Sequence, residues 1–209
     1  MANHSWDELK NYPEIVKGEW PTIPEMFLLT LKKFPKNHCF SVIEKEKIYN
    51  TYEEEYIEIM KVASLLVSLG LKKGDKVMVN GKNSREWATA YLGILFAGCI
   101  VCPIDNQMKI ERVAQLGEFA NCKFVFADLD VLEKLSKLDN PWFKSLVGVC
   151  LLKGKDQKYK YKVYELDTEP LDQKVEVSEY DTAAVLFTSG TTGNEKGAIL
   201  SHRNITSDV

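Results

Sequence analysis

Between Thr188 and Gly197 the chain reads TSGTTGNEKG, which gathers four hydroxyl side chains, three glycines and one lysine into a single short segment. Glycines let the backbone take positive φ, so that successive N–H groups can turn inward on an anion. The hydroxyls add neutral donors, and Lys196 adds a point charge suited to a phosphate oxygen. Thr188, Ser189, Gly190, Thr191, Thr192, Gly193 and Lys196 are therefore the candidate residues for holding a polyphosphate. A plainer reading is a polar turn between two strands, because Ser, Thr and Gly also fill ordinary turns. The commonest phosphate loop, G-x-x-x-x-G-K followed by Ser or Thr, is not met. Glu195 and Gly197 stand where that pattern needs glycine and a hydroxyl.

Other residue types that could carry chemistry lead to structural roles. The five cysteines are an odd number, unlike a secreted disulfide framework. Cys99 and Cys102 form a C-x-x-C, but the apolar stretch around them reads as a buried strand. Residues three apart in a strand face opposite sides, so these thiols neither share a metal nor pair readily. His4, His38 and His202 lack carboxylates or cysteines at catalytic or ligand spacing, and none is assigned as a base or metal ligand. The segment KGKDQKYKYKVY, residues 153–164, interleaves lysine and tyrosine as single-stranded nucleic acid or an anionic membrane would require. Tyr159, Tyr161 and Val163 nevertheless alternate with Lys158, Lys160 and Lys162, the period of an edge strand whose lysines block aggregation. At most peripheral membrane contact is expected of it.

The elements that must position the loop follow from periodicity. Residues 1–23 read as an extended or helical arm, then a helix at about 24–33, and a hairpin from strands 39–43 and 47–51 around Glu44-Lys45-Glu46. Thr51 and Glu54 form a capping box for a helix whose inward face carries Tyr52, Tyr56, Ile59, Met60, Ala63 and Val67. Glu53, Glu55 and Glu58 crowd its N-terminal half, where the helix dipole favours negative charge, and Gly70 stops it. Strands at 76–80, 99–104, 123–127 and 146–152 then alternate with helices at 84–97, 109–119 and 129–138. Such alternation calls for an α/β fold with a largely parallel sheet flanked by helices, joined by right-handed crossovers. The loop follows a strand, where such folds tend to bind ligands. Residues 1–70 read as arm, hairpin and helix, and residues 71–209 as the α/β part.

Composition narrows the partners. The 209 residues are 45% hydrophobic and 27% charged, with a net charge of −3, so no basic field for nucleic acid exists. No run of apolar residues is long enough to span a membrane, and the N-terminus lacks a secretory pattern, which leaves the cytoplasm as the expected compartment.

The exact residues of the loop carry more than their spacing. FTSGTTGNEKG closely resembles the signature F/Y-T-S-G-S/T-T-G-x-P-K-G of the adenylate-forming superfamily, which includes acyl-CoA synthetases, peptide-synthetase adenylation domains and firefly luciferase. TIPEMFLLTLKKFP at 22–35, TYEEEYIEIMKVASLLVSLGLKKGDKV at 51–77, NSREWATAYLGILFAGCIVCPID at 83–105 and the trailing SHRN extend the likeness over nearly everything from residue 20 onward. The detail is most similar to bacterial and archaeal long-chain-fatty-acid–CoA ligases. One departure stands out: Glu195 occupies the usual proline position. Pointing inward it would weaken ATP binding; pointing outward it would merely loosen the loop.

The resemblance implies an incomplete N-terminal portion of an adenylation domain and a two-step reaction. A carboxylate, here a fatty acid, attacks the α-phosphate of ATP with Mg²⁺ present, and coenzyme A then takes the acyl group. Thr188 to Lys196 would hold the β- and γ-phosphates, with Lys196 the one catalytic residue among them. The adenine, ribose and most acyl contacts of the family lie in segments beyond residue 209. Two other readings stand beside this one: a different nucleotide-phosphate enzyme, and a truncated non-catalytic interaction module. A sheet that normally packs against later segments is also expected to self-associate and, alone, to be inactive.

Overall fold

Two capping boxes set the frame. Thr22 with Glu25 starts α1 (Ile23–Lys33), and Thr51 with Glu54 starts α2 (Tyr52–Ser68), each side chain satisfying the other's free backbone donor. The computed structural model describes residues 20–43, 47–153, 156–188 and 196–207. Most of the N-terminal arm and the Glu44–Glu46 turn therefore lie outside the described residues. β1 (His38–Ile43) and β2 (Lys47–Thr51) pair antiparallel as the expected hairpin. Gly70 ends α2 at φ +85, a left-handed conformation that glycine adopts without penalty.

After Gly70 the chain runs through β3 (Lys76–Asn80), α3 (Arg85–Phe96), β4 (Ile100–Ile104), α4 (Ile110–Ala120), β5 (Phe124–Ala127) and α5 (Leu129–Lys137). It continues with α6 (Pro141–Ser145), β6 (Gly148–Leu151), β7 (Tyr161–Lys162), β8 (Thr182–Thr188), β9 (Lys196–Ser201) and α7 (His202–Thr206). The main sheet has seven strands in the order β7-β6-β5-β3-β4-β8-β9, and only the β8–β9 pair is antiparallel.

Successive residues feed two cores on opposite sheet faces. Val77, Val79, Val101, Phe124 and Phe126 pack beneath α1, α2 and α3, whereas Met78, Cys102, Val125 and Leu151 pack beneath α4, α5 and Trp142 of α6. A sheet buried on both faces explains why its strands read as continuous apolar runs. Cys99 and Cys102 fall in opposite cores, as their spacing requires. Burial pushes the Cys99 thiol up to about 12, which keeps it protonated and inert.

Four details differ from expectation. Val67 is 38% exposed rather than part of the buried face of α2. That face instead runs through Glu55, Ile59, Val62 and Leu66, the stripe that presses on α3. The Lys/Tyr segment pairs with β6 only at Tyr161 and Lys162, because Tyr159 and Val163 turn into opposite cores at its two ends. The short elements α6, β9 and α7 have no counterpart in the periodicity reading.

Candidate functional site

β8 runs parallel to β4, so its C-terminal end emerges from the sheet edge shared by β3, β4 and β5. Ligands of open α/β sheets collect at that edge. The strand does not lead into a helix there. It turns back into β9 with Thr188 opposite Lys196, Phe187 opposite Gly197 and Val185 opposite Ile199. Directly opposed residues of an antiparallel pair lie roughly 5 Å apart at Cα. The register thus brings together the two ends of the candidate loop, Thr188 and Lys196.

Of the candidate residues, Ser189, Gly190, Thr191, Thr192 and Gly193 lie outside the described residues, as does Glu195; Thr188 ends β8 and Lys196 opens β9. Lys196 is exposed, and among the described residues its ammonium has no ion-pair or hydrogen-bond partner. Gly197, next in the strand, faces Val185 and Phe187; a Cβ there would stand 3.0 Å from Val185 Cγ1, so a larger residue would crowd the root of the loop.

The far end of the hairpin is tied down. Ser201 caps α7, and Arg203 donates from Nη1 to Glu179 Oε2 at 3.0 Å and to Tyr180 Oη at 3.2 Å. The His202 N–H donates to the Asp181 carbonyl at 3.1 Å, and the Arg203 N–H to that of Glu179 at 2.8 Å. The segment that enters β8 is thereby joined to the segment that leaves β9. Asp181 in turn pairs with Lys73 at 2.7 Å, and this bond together with the Ser178 N–H holds its carboxyl below the usual range.

His202 belongs to this anchor rather than to the chemistry. It is 1% exposed, and its Nδ1 accepts the Ile23 N–H at 3.3 Å at the start of α1. Burial lowers its pKa from 6.5 to about 4, against the opposing pull of Asp181 and Glu25. The unfolded chain therefore binds a proton at His202 before the folded chain does. Stability from this residue is complete above about pH 6.5 and is lost as pH falls towards 4, by roughly 3 kcal/mol at most. His202→Asn offers an acceptor near the Nδ1 position and cannot be protonated. Its denaturation free energy is expected to fall less steeply than the wild type's between pH 6.5 and 4; equal slopes would show that His202 does not titrate as buried.

A second concavity, of about 230 Å³, lies where β3 and β4 send their helices to opposite faces. Asn80 bridges this point, donating from Nδ2 to the Ile104 and Asp105 carbonyls at 3.2 Å each. The lining sets Lys109 and Lys134 against Glu111 and Asp130, and Lys134 is already paired with Asp130 at 3.1 Å. That balance of charge suits a polyphosphate poorly.

The sheet and the hairpin at its carboxyl edge are those of an adenylation domain, and the chain belongs to the AMP-binding enzyme family, whose model matches residues 29–209. Among curated relatives it is 31% identical over 197 residues to the long-chain-fatty-acid–CoA ligase ACSBG1 of Rattus norvegicus, covering 88% of this chain and 27% of that one. It is 27% identical over 206 residues to 4-coumarate–CoA ligase-like 1 of Arabidopsis thaliana, covering 95% of this chain and 36% of that one. The chain thus spans about a third or less of these relatives' length. Among solved structures, the anthranilate CoA ligase AuaEII in complex with anthranoyl-AMP superposes with a TM-score of 0.77 at 17% identity, over 88% of this chain and 35% of the other. The inhibitor-bound N-terminal domain of FACL13 from Mycobacterium tuberculosis gives 0.72 at 21% identity, over 87% of this chain and 44% of the other. At these identities the structural likeness establishes the fold alone.

Proposed function

We propose that the protein carrying this chain is an AMP-forming acid–thiol ligase that activates a fatty acid with ATP and passes the acyl group to coenzyme A. The loop from Thr188 to Lys196 is its polyphosphate cradle. One observation supports the reading: the β8–β9 register sets Thr188 opposite Lys196 at the carboxyl edge of the sheet, so that the Gly/Thr segment begins and ends there beside an exposed lysine. Residues 1–70 and 71–209 are, on this reading, two parts of one adenylation domain.

The physical problem in such a reaction is charge, because an anionic carboxylate must approach a polyanion. Catalysis then consists mostly of positioning and electrostatic neutralisation. Backbone N–H groups and hydroxyls of the loop orient the β- and γ-phosphates, and Lys196 meets the charge that builds on departing pyrophosphate. Among the described residues no group of three or more His, Cys, Asp or Glu could hold a metal ion.

The acid is assigned from the long-chain relative, whereas the 4-coumarate and anthranilate ligases act on aromatic acids by name. ATP–pyrophosphate exchange by the full-length protein with acetate, octanoate, palmitate and an aromatic acid separates the two classes. Exchange is expected with octanoate or palmitate, and exchange with the aromatic acid alone would overturn the fatty-acid assignment. The residues described here include no helix long and apolar enough to cross a membrane. For the 209-residue chain alone we extend the reading to self-association. β9 has no strand on its outer side among the described residues, and Ile199 on it is 68% exposed. Light scattering across a dilution series should show a mass that rises with concentration; a constant monomer mass would exclude it.

A further inference from the structure

Glu55 points from the first turns of α2 into the protein and is completely buried. Three side chains surround its carboxyl group. Thr89 Oγ1, on α3, meets Oε1; Tyr164 Oη meets Oε2 at 2.7 Å; and Asn50 Nδ2, from the end of β2, donates to Oε2 at 3.0 Å. Arg85 Nη1 donates to Asn50 Oδ1 at 3.1 Å, which fixes the Asn50 amide with its nitrogen towards Glu55. Thr89 Oγ1 also lies 2.8 Å from Tyr164 Oη and 2.8 Å from the Arg85 carbonyl.

Counting protons decides the state of this cluster. Four oxygen–oxygen contacts are made: Thr89 with Glu55, Thr89 with Tyr164, Thr89 with the Arg85 carbonyl, and Tyr164 with Glu55. An ionised Glu55 is acceptor-only, so Thr89 and Tyr164 would have one proton each to serve all of them. Thr89 would have to choose among three acceptors, and two of the four contacts would set lone pair against lone pair beside a fully buried carboxyl group. A proton on Oε1 brings the count to three protons for four contacts and leaves only one unserved. Glu55 then donates to Thr89, Thr89 to Tyr164 or to the Arg85 carbonyl, and Tyr164 back to Oε2.

We propose that Glu55 stands as a neutral carboxylic acid in the folded protein at neutral pH and is the hub of a proton-dependent clasp joining α2, α3 and the turn at Tyr164. The charges around it agree. Arg85, the nearest cation, directs its ion pair to Glu86 at 3.4 Å and lies over the Tyr164 ring at 4.2 Å from its centroid. Glu58 on α2 opposes a charge on Glu55, and burial pushes the Cys39 thiol on β1 up to about 12, so that it stays neutral beside it. Burial raises the Glu55 carboxyl above the usual range despite the bonds from Thr89, Tyr164 and Asn50 that pull it down, and burial likewise keeps the Tyr164 phenol protonated. The clasp also accounts for the backbone of Tyr164, held at φ 65, a left-handed conformation uncommon for a bulky residue.

The pH consequence has the opposite sign to that of His202. A carboxyl whose folded pKa exceeds its unfolded value of about 4.3 contributes stability that is complete at low pH and is lost as pH rises through the folded value. Glu55→Gln tests the idea, because a carboxamide has one donor side and one acceptor side, as the neutral acid does. Near pH 4 the variant is expected to melt within about 3 °C of the wild type, and progressively above it as the pH is raised to 7 and beyond, because only the wild type must take up a proton on folding there. Infrared difference spectra at pH 7 should show a protonated-carboxyl C=O stretch in the wild type that is missing in E55Q. Carboxylate bands alone in the wild type, or an E55Q chain that fails to fold or melts well below the wild type at pH 7, would overturn the proposal.

Discussion

If the full-length protein is the ligase proposed above, Lys196→Ala is expected to lower kcat by about 10²- to 10³-fold, the scale on which a single donor to a developing negative charge acts. KM for ATP should change far less. Charge on the leaving pyrophosphate grows as the bond to the α-phosphate breaks, so a cation at the loop base gains most in the transition state, and such interactions appear in kcat. The structure makes this a clean test. Lys196 is exposed and has no partner among the described residues, so its removal should alter stability by no more than about 0.5 kcal/mol. A loss of activity therefore could not be ascribed to unfolding. Steady-state kinetics with a saturating acid would read it, and a kcat within twofold of the wild type would remove Lys196 from the chemistry.

The second large effect concerns the frame. Gly117 lies within α4, where replacing glycine by alanine favours the helix by about 1 kcal/mol on propensity alone. Packing reverses that sign. A Cβ at Gly117 would stand 2.2 Å from Trp142 Cη2 and Cζ2 and 2.7 Å from Met78 Cε. Trp142 has little freedom to yield: it is 6% exposed, and its Nε1 donates to the Cys122 carbonyl at 2.8 Å. Overpacking of this kind costs about 1–3 kcal/mol, and more where the neighbour is rigid. We expect Gly117→Ala to lower the melting temperature by roughly 5–10 °C. Trp142→Phe removes the part of the ring that clashes, so the double variant should be less destabilised than the sum of the two single ones. Strict additivity would place the cost elsewhere.

The same close approaches show what was legible in the sequence and what was not. Strand–helix alternation after Gly70 and the Thr51–Glu54 box were readable because both are local and leave a periodic trace. The opposite faces of Cys99 and Cys102 followed from strand geometry alone. Glu55 was misplaced among the acids that serve the helix dipole, although Glu55, Ile59, Val62 and Leu66 share helical spacing. That stripe was the available signal. It was masked because a carboxyl is buried only where distant partners compensate it, and Thr89 and Tyr164 lie 34 and 109 residues away. The return of the chain through β9 matches the plainer reading of a turn between two strands but leaves no periodic trace: a strand at a sheet edge, with exposed Ala198 and Ile199, owes its conformation to pairing with β8 rather than to its own pattern. Of the candidate site, the residue types were legible, while the register joining Thr188 to Lys196 required the sheet.

The central claim, that the loop between β8 and β9 holds a polyphosphate, can be read directly from backbone amide chemical shifts of the ¹⁵N-labelled chain titrated with tripolyphosphate. Affinity should be weak, because nothing within these residues is assigned to the adenine or ribose. Shifts that saturate in the millimolar range, confined to residues 188–197 and abolished by Lys196→Ala, are the predicted result. Shifts centred on the Asn80–Lys134 cleft, or a loop unmoved at tens of millimolar, would contradict the account.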